Sequence, residues 1–182
     1  MEQVWRSVRP LLPLIPLGLA AVAIASGILT VVRLKRGAPR RWAVYRSVLD
    51  VTLMASIVSV LILTLPPSIG APRAVNLAPF AELQHDVGDT GLSQLVGNAI
   101  MFMPFGFLAP LRWPRLDSFR NVVFAAAAFS LVIEVLQFAL PLGRQASVTD
   151  VIMNTVGGGV GYTLMIALRG LVRRRGDRQV VG

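Results

Sequence analysis

Residues 119–140 read FRNVVFAAAAFSLVIEVLQFAL, a run whose only charged side chains are Arg120 at its start and Glu134 towards its end. A helix needs roughly 20 mainly apolar residues to cross about 30 Å of hydrocarbon, and this run is long enough. Comparable stretches lie at about residues 11–32, 48–65, 93–112 and 148–168. The sequence therefore predicts an all-α integral membrane protein, a single domain over residues 1–182 formed by a bundle of about five transmembrane helices.

The composition of the chain agrees with this class. Hydrophobic residues make up 54% of the 182 residues and charged residues only 15%, and the mean hydropathy is +0.66. The formal charge of +9 does not indicate a nucleic-acid surface, because most of the 18 basic residues fall in three separate segments, at 33–46, 112–120 and 169–178. The positive-inside rule predicts that these segments, including the C-terminus, are cytoplasmic.

This orientation places the N-terminus outside the membrane, in spite of Arg6 and Arg9 ahead of the first span. A cleaved secretory signal is the rival interpretation, with Ala23 and Ala25 spaced like a cleavage site. The apolar run continues to Val32, which is longer than a typical signal core. We therefore expect the first span to be retained.

Five polar side chains interrupt the last three apolar stretches: Asn98, Glu134, Gln137, Asp150 and Asn154. An ionisable residue inside a membrane is costly and points to a functional site. At about 1.5 Å rise per residue, Asn98, Glu134 and Asn154 lie about 8 to 9 Å inside the outer ends of their spans. We expect all five side chains in the outer half of the membrane, as a pocket that faces outwards.

Arg144 lies in the short outer loop and is expected directly above this group. Glu134 at such a depth must be protonated, paired with a base such as Arg144, or hydrated. The alternative is an interhelical hydrogen-bond clamp in which amides and carboxyls satisfy one another. Asp150 would then simply be an acidic residue near a helix start, where the dipole favours it. The residues alone leave both interpretations open.

Three further features of the sequence support predictions. The outer linker contains Asn76-Leu77-Ala78-Pro79-Phe80, which forms either a cap over the helices or a solvated loop with an Asx turn at Asn76. Asp50 has Arg46 four residues earlier, so an ion pair is expected between them. His85 is the only histidine, and we expect neither a metal site nor a cofactor.

Gly157 and Gly161 have the Gly-x-x-x-Gly spacing that lets another helix backbone approach closely. This face predicts close helix packing and offers a route to an oligomer.

The polar residues and glycines together form a longer pattern. It runs Asn98-x3-Phe102-x-Pro104-x-Gly106, then Glu134-x2-Gln137, Arg144, and Asp150-x3-Asn154-x2-Gly157-Gly158-x2-Gly161, preceded by Asn76-Leu77-x-Pro79-Phe80. This pattern, over about residues 76–161, resembles the VanZ-like family of small bacterial membrane proteins. The resemblance implies a multi-pass protein of the bacterial cytoplasmic membrane and an association with resistance to the glycopeptide teicoplanin. It implies no particular chemistry.

Three functions are compatible with these residues. The first is an outward-facing pocket that binds a lipid headgroup, a cell-wall precursor or a glycopeptide-type antibiotic, formed by the five intramembrane residues with Arg144 and Asn76. The second is an intramembrane enzyme acting on a lipid-linked substrate, with Glu134 and Asp150 dividing acid and base work. The third is a small transporter or flippase. The sequence contains no HExxH motif, no G-x-S-x-G motif and no phosphate loop.

Overall fold

The computed structural model describes residues 14–65, 75–80, 89–140 and 146–180. Its long helices are α1 Leu14–Lys35, α2 Arg40–Thr64, α3 Asp89–Arg112, α4 Phe119–Ala139 and α5 Val148–Val180. The other described elements are two short strands, β1 Val75–Asn76 and β2 Ala146–Ser147, and a 3-10 turn at Pro114–Leu116. Each of the five helices contains a segment long and apolar enough to span a membrane, which confirms the predicted all-α membrane fold.

The turn between α1 and α2 is fixed by a helix-ending motif. The Ala38 N–H donates to the Arg33 carbonyl at 3.1 Å and the Gly37 N–H donates to the Leu34 carbonyl at 2.9 Å, which is the Schellman arrangement. Gly37 has a φ of 80°, a left-handed conformation that glycine adopts without steric cost. We call the end of the bundle that carries this turn and residues 113–118 the basic end.

Asp50 joins three helices at the basic end. Arg33 Nη2 donates to Asp50 Oδ2 at 2.6 Å, and Arg112 Nε donates to Asp50 Oδ1. The expected pair with Arg46 is wrong, because the guanidinium groups at the ends of α1 and α3 already flank the carboxylate. Arg46 instead donates to the Arg112 carbonyl at 3.3 Å.

We expect Asp50→Asn to lower the free energy of unfolding by about 1–3 kcal/mol, because two charge-assisted hydrogen bonds lose their anionic acceptor. Asp117→Asn is the matched control. Asp117 pairs with Arg169 at 2.9 Å but has a side chain 39% exposed, against 19% for Asp50, and an exposed pair contributes about 0–1 kcal/mol. Thermal unfolding in detergent measures both; equal losses would contradict the joining role of Asp50.

Helices α3 and α5 pack backbone against backbone. A Cβ atom added to Gly157 would lie 2.0 Å from the Ala99 carbonyl oxygen, and one added to Gly161 would lie 2.1 Å from the Met103 carbonyl oxygen. The Gly-x-x-x-Gly face therefore meets another helix, as predicted, but that helix belongs to the same chain. The contact on this face is with α3 of the same chain, and an oligomer through Gly157 and Gly161 stays a prediction.

The core lies among α2, α3 and α4 and includes Leu53 and Val60 of α2. Within it, Phe102, Phe105 and Phe129 form an aromatic cluster with ring centroids 5.3 to 6.4 Å apart. Phe102 is fully buried. Much of the remaining helix surface is exposed and apolar, for example Ile28 and Ile62. Exposed apolar surface on this scale requires lipid as its solvent.

Helix α5 continues to Val180, beyond the predicted end of the span near residue 168. Arg169 Nη1 donates to both carboxylate oxygens of Asp117 at 2.9 Å. This contact fastens the extended part of α5 to the segment that follows the 3-10 turn. The part of α5 beyond the span contains Leu171 and Arg173 to Arg175, which favour a helix, but also Gly170 and Gly176, which do not.

Candidate functional site

At the end of the bundle opposite the basic end, two chain segments pair as short strands. Strands β1 and β2 are parallel, with Val75 opposite Ala146 and Asn76 opposite Ser147. Farther along the same segment, the Phe80 N–H donates to Thr149 Oγ1 at 2.8 Å. Residues 75–80, which we call the capping segment, are thus attached at one end to β2 and at the other to the first turn of α5. All of these residues except Asn76 are exposed, so the cap over the helices stays a prediction.

Two backbone features shape this capping segment. Asn76 Oδ1 accepts a hydrogen bond from the Ala78 N–H at 3.2 Å, which is the Asx turn that the other interpretation anticipated. Phe80 has a φ of 60°, a left-handed conformation that is uncommon for a residue with a side chain. Its bond to Thr149 offsets part of the cost of that conformation.

Glu134 connects α4 to β2. Its Oε2 accepts from the Ser147 N–H at 2.9 Å, and its side chain is only 6% exposed. Ser147 Oγ in turn accepts from the Thr149 N–H at 3.2 Å. The carboxyl group therefore lies where β2 passes into α5, at the level of the capping segment.

Asp150 connects α5 to α3. Asn98 Nδ2 donates to Asp150 Oδ1 at 2.6 Å. Asp150 also occupies the first turn of α5, where the partial positive charge of the helix end favours a carboxylate. The helix-start interpretation of Asp150 and the site interpretation therefore apply to the same side chain.

The two buried amides make one interhelical hydrogen bond each. Gln137 Nε2 donates to the Thr64 carbonyl at 2.7 Å, and Asn154 Nδ2 donates to Ser130 Oγ at 2.8 Å. Within the part of the chain that the structure describes, Gln137 Oε1 and Asn154 Oδ1 are buried and have no donor. The hydrogen-bond clamp interpretation thus accounts for the amide nitrogens and leaves the amide oxygens unexplained.

All five predicted intramembrane residues line one cavity, which we call the polar cavity. Its volume is about 120 Å³, room for several water molecules or a small headgroup fragment. Every helix except α1 contributes to its wall. The polar residues in that wall are Thr64 from α2, Gln94 and Asn98 from α3, Glu134 and Gln137 from α4, and Asp150 and Asn154 from α5.

A second concavity, the apolar groove, lies beside the polar cavity. It measures about 260 Å³ and lies between the capping segment and the parts of α4 and α5 that are farthest from the basic end. Glu134 lines both this groove and the polar cavity. The apolar residues of the groove include Leu77 of the capping segment, Leu131, Val135 and Phe138 of α4, and Val148 and Val151 of α5.

The other predicted site residues have different positions. Arg144 lies outside the described residues, as does His85. Asn76 is in the capping segment and is not among the residues that line the polar cavity. The two candidate catalytic carboxyls, Glu134 and Asp150, do share the cavity.

Some contributors to the site were not predicted. The Thr64 carbonyl belongs to the last residue of α2, and no feature of its sequence marks it as a partner for Gln137. Ser130 lies four residues before Glu134 on the same helical stripe, which is a signal that could have assigned it to the site.

Comparison with known proteins identifies the family. Residues 49–169 match the family model described as VanZ/LLP1. The chain belongs to the VanZ-like family. The VanZ-like match begins within α2 and so includes the helix that supplies the Thr64 carbonyl, ahead of the stretch that carried the resemblance.

One curated relative of this VanZ-like chain is Protein VanZ of Enterococcus faecium, 29% identical over 110 residues. The alignment covers 60% of this chain and 63% of the relative, so the chain spans somewhat less than two thirds of the relative's length. No solved structure matches the chain.

Proposed function

We propose that this VanZ-like protein binds the headgroup of an amphiphile in the polar cavity, at the outward side of the bacterial cytoplasmic membrane, and thereby contributes to tolerance of teicoplanin or related envelope stress. The observation that carries the proposal is the polar cavity itself. Three helices, α3, α4 and α5, place carboxyl or amide groups in its wall, at positions expected to lie within the membrane, which is costly unless those groups serve a function.

The apolar groove supports an amphiphilic ligand rather than a soluble one. It is lined almost wholly by aliphatic and aromatic side chains, and it shares Glu134 with the polar cavity. A headgroup in the cavity would leave its apolar chain next to this groove. We assign the groove to the apolar tail of the ligand.

The dimensions restrict how an antibiotic could be recognised. Sites that enclose a drug-sized molecule measure roughly 300–1,000 Å³, and the polar cavity measures about 120 Å³. A glycopeptide could insert one polar group but could not be enclosed. The dimensions therefore favour a lipid headgroup or a lipid-linked envelope precursor as the resident ligand.

The side of the membrane that the polar cavity faces is inferred from the positions of the basic residues. The polar cavity lies at the end of the bundle opposite the Asp50 ion pairs and the turn at 36–39. Because the basic loops are expected in the cytoplasm, the cavity is expected to face outwards, where a glycopeptide would meet it.

The proposal is tested by the double variant Ser130→Ala/Asn154→Leu. Replacing both partners of a buried hydrogen bond by apolar groups is nearly neutral for stability, so membrane abundance is expected to stay unchanged while the cavity loses polarity. In a teicoplanin-susceptible host, we expect the wild-type protein to raise the inhibitory concentration and the double variant to lose that increase.

Asn121→Leu is the matched control. Asn121 also belongs to α4 but lies exposed at the basic end, where its side chain donates to the Arg115 carbonyl at 2.7 Å. This variant is expected to keep full tolerance. Full tolerance in the double variant, at equal abundance, would refute a role for the polar cavity.

The enzyme alternative draws on one specific observation, the presence of Glu134 and Asp150 in the same cavity wall. A general acid and a general base need such proximity to a shared substrate. Incubation of the purified protein with lipid-linked precursors distinguishes the two functions, because a change in precursor mass indicates chemistry and an unchanged mass indicates binding.

A further inference from the structure

Three amide side chains around the polar cavity each use one N–H to bind another group of the protein. The amide nitrogens of Asn98, Gln137 and Asn154 donate to Asp150, the Thr64 carbonyl and Ser130 respectively. The acceptors that the wall offers a ligand are the amide oxygens of Gln137 and Asn154 and the carboxyl groups of Glu134 and Asp150.

The hydrogen-bond partners of Gln137 and Asn98 fix which way these two amides point. Gln137 faces the Thr64 carbonyl, which can only accept, so the nitrogen must be on that side and Oε1 must point away from it. Asn98 faces a carboxyl oxygen in the same manner. The position of the amide oxygen in Gln137 and Asn98 thus follows from the chemistry of their partners, whereas the Ser130 hydroxyl beside Asn154 can both accept and donate.

Two of these acceptors are deeply buried. Gln137 is 4% exposed and Asn154 is 2% exposed, and in the described part of the chain neither Gln137 Oε1 nor Asn154 Oδ1 receives a hydrogen bond. A buried polar atom without a partner is costly and calls for a ligand or water. Glu134 and Asp150 add carboxyl oxygens to the same wall.

We infer that the polar cavity takes the primary ammonium group of an amphiphile. An ammonium offers three donors and no acceptor, which complements the buried amide oxygens and the carboxyl groups. An anionic headgroup would instead bring its oxygens against the oxygens of the wall. This inference rests on the proposed function and specifies the chemistry of its ligand.

The ammonium could come from an aminophospholipid of the membrane or from another amine-bearing amphiphile. The purified protein in lipid nanodiscs distinguishes these sources. The baseline disc contains phosphatidylglycerol only, and further discs add phosphatidylethanolamine, phosphatidylcholine, dodecylamine or dodecyltrimethylammonium. Native mass spectrometry of protein released from the discs counts the retained ligand, and the melting temperature reports its effect on stability.

The expected result is retention of the primary amines over their quaternary counterparts by roughly tenfold or more, because hydrogen bonds to charged groups have that effect on affinity. Phosphatidylcholine and dodecyltrimethylammonium keep the positive charge but have no N–H, so they isolate hydrogen-bond donation. Retention of phosphatidylethanolamine identifies a membrane lipid as the source, and retention of dodecylamine alone identifies an amine without a phosphate.

Substitution of the two carboxyl groups in the cavity wall provides a second test of amine binding. Glu134→Gln and Asp150→Asn are each expected to weaken primary-amine retention roughly tenfold, whereas Asp117→Asn at the basic end leaves it unchanged. Equal retention of primary and quaternary amines, or selective retention of phosphatidylglycerol, would overturn the inference.

Failure of this inference and failure of the proposed function have different signatures. If the Ser130→Ala/Asn154→Leu variant loses teicoplanin tolerance while the wild type shows no amine preference, only the ammonium assignment is overturned. If amine preference is present and the double variant keeps full tolerance, the link of the cavity to tolerance is overturned.

Discussion

Gly161→Ala is expected to prevent accumulation of the folded protein, although it adds a single methyl group. The new Cβ would lie 2.1 Å from the Met103 carbonyl oxygen and 2.9 Å from the Phe107 nitrogen. Both are backbone atoms of α3 and cannot rotate away, so the two helices must separate. We expect a loss of about 3 kcal/mol or more in the free energy of unfolding.

Gly170→Ala is the control, because it makes the same chemical change in the same helix. A Cβ atom at Gly170 meets nothing within 4 Å, and alanine in an exposed helix is favoured over glycine by up to about 1 kcal/mol. The two variants should therefore change stability with opposite signs. The yield of monodisperse protein and its melting temperature measure the effect; similar behaviour of both would contradict the close packing of α3 on α5.

The same comparison can be made from the other helix. A Cβ atom at Gly106 would lie 1.9 Å from the Gly158 carbonyl oxygen, while one at Gly97 meets nothing within 4 Å. Gly106→Ala is expected to prevent accumulation of the folded protein, as Gly161→Ala does. Gly97→Ala is expected to leave the yield of folded protein unchanged. Agreement between the two pairs would attribute the effect to the interface rather than to one position.

Glu134→Gln is expected to abolish teicoplanin tolerance while leaving the fold intact. The glutamine carbonyl can still accept the Ser147 N–H that Glu134 Oε2 accepts at 2.9 Å, so the contact between α4 and β2 persists. What is lost is the ionisable group shared by the polar cavity and the apolar groove. The measurements are the inhibitory concentration of teicoplanin and the amount of protein in the membrane.

Glu134→Ala separates the structural from the functional contribution. It leaves the buried Ser147 N–H without its acceptor, which costs about 1–3 kcal/mol, so it should lower both tolerance and abundance. Arg144→Ala, in the loop expected above the cavity, should lower tolerance alone. Full tolerance in both Glu134→Gln and Arg144→Ala, at normal abundance, would refute the proposed site.

The positions of the helices followed from the sequence because membrane spanning is a local property. Most helix bounds lie within about four residues of the predicted spans. The exceptions are the start of α2, at Arg40 instead of about residue 48, and the end of α5, at Val180 instead of about residue 168, because both helices continue beyond their apolar segments. The grouping of the five polar residues in one cavity also followed, since a fixed rise per residue sets depth on each helix separately.

The partners of individual side chains did not follow from the sequence. Asp50 pairs with Arg33 and Arg112 rather than with its neighbour Arg46, because helix ends that are distant in sequence meet at the basic end. Gly157 faces α3 of its own chain. Both outcomes depend on how each helix is rotated about its axis.

The sequence by itself determined that this is a membrane bundle with carboxyl and amide groups at one depth. The contacts between helices add that the amide nitrogens of Gln137 and Asn154 donate to the Thr64 carbonyl and to Ser130, while their oxygens are buried without a donor in the described part of the chain. The physical reason is that apolar length and axial rise are set along one helix. Which atom of a side chain stays unpaired is set by the groups that neighbouring helices bring to it.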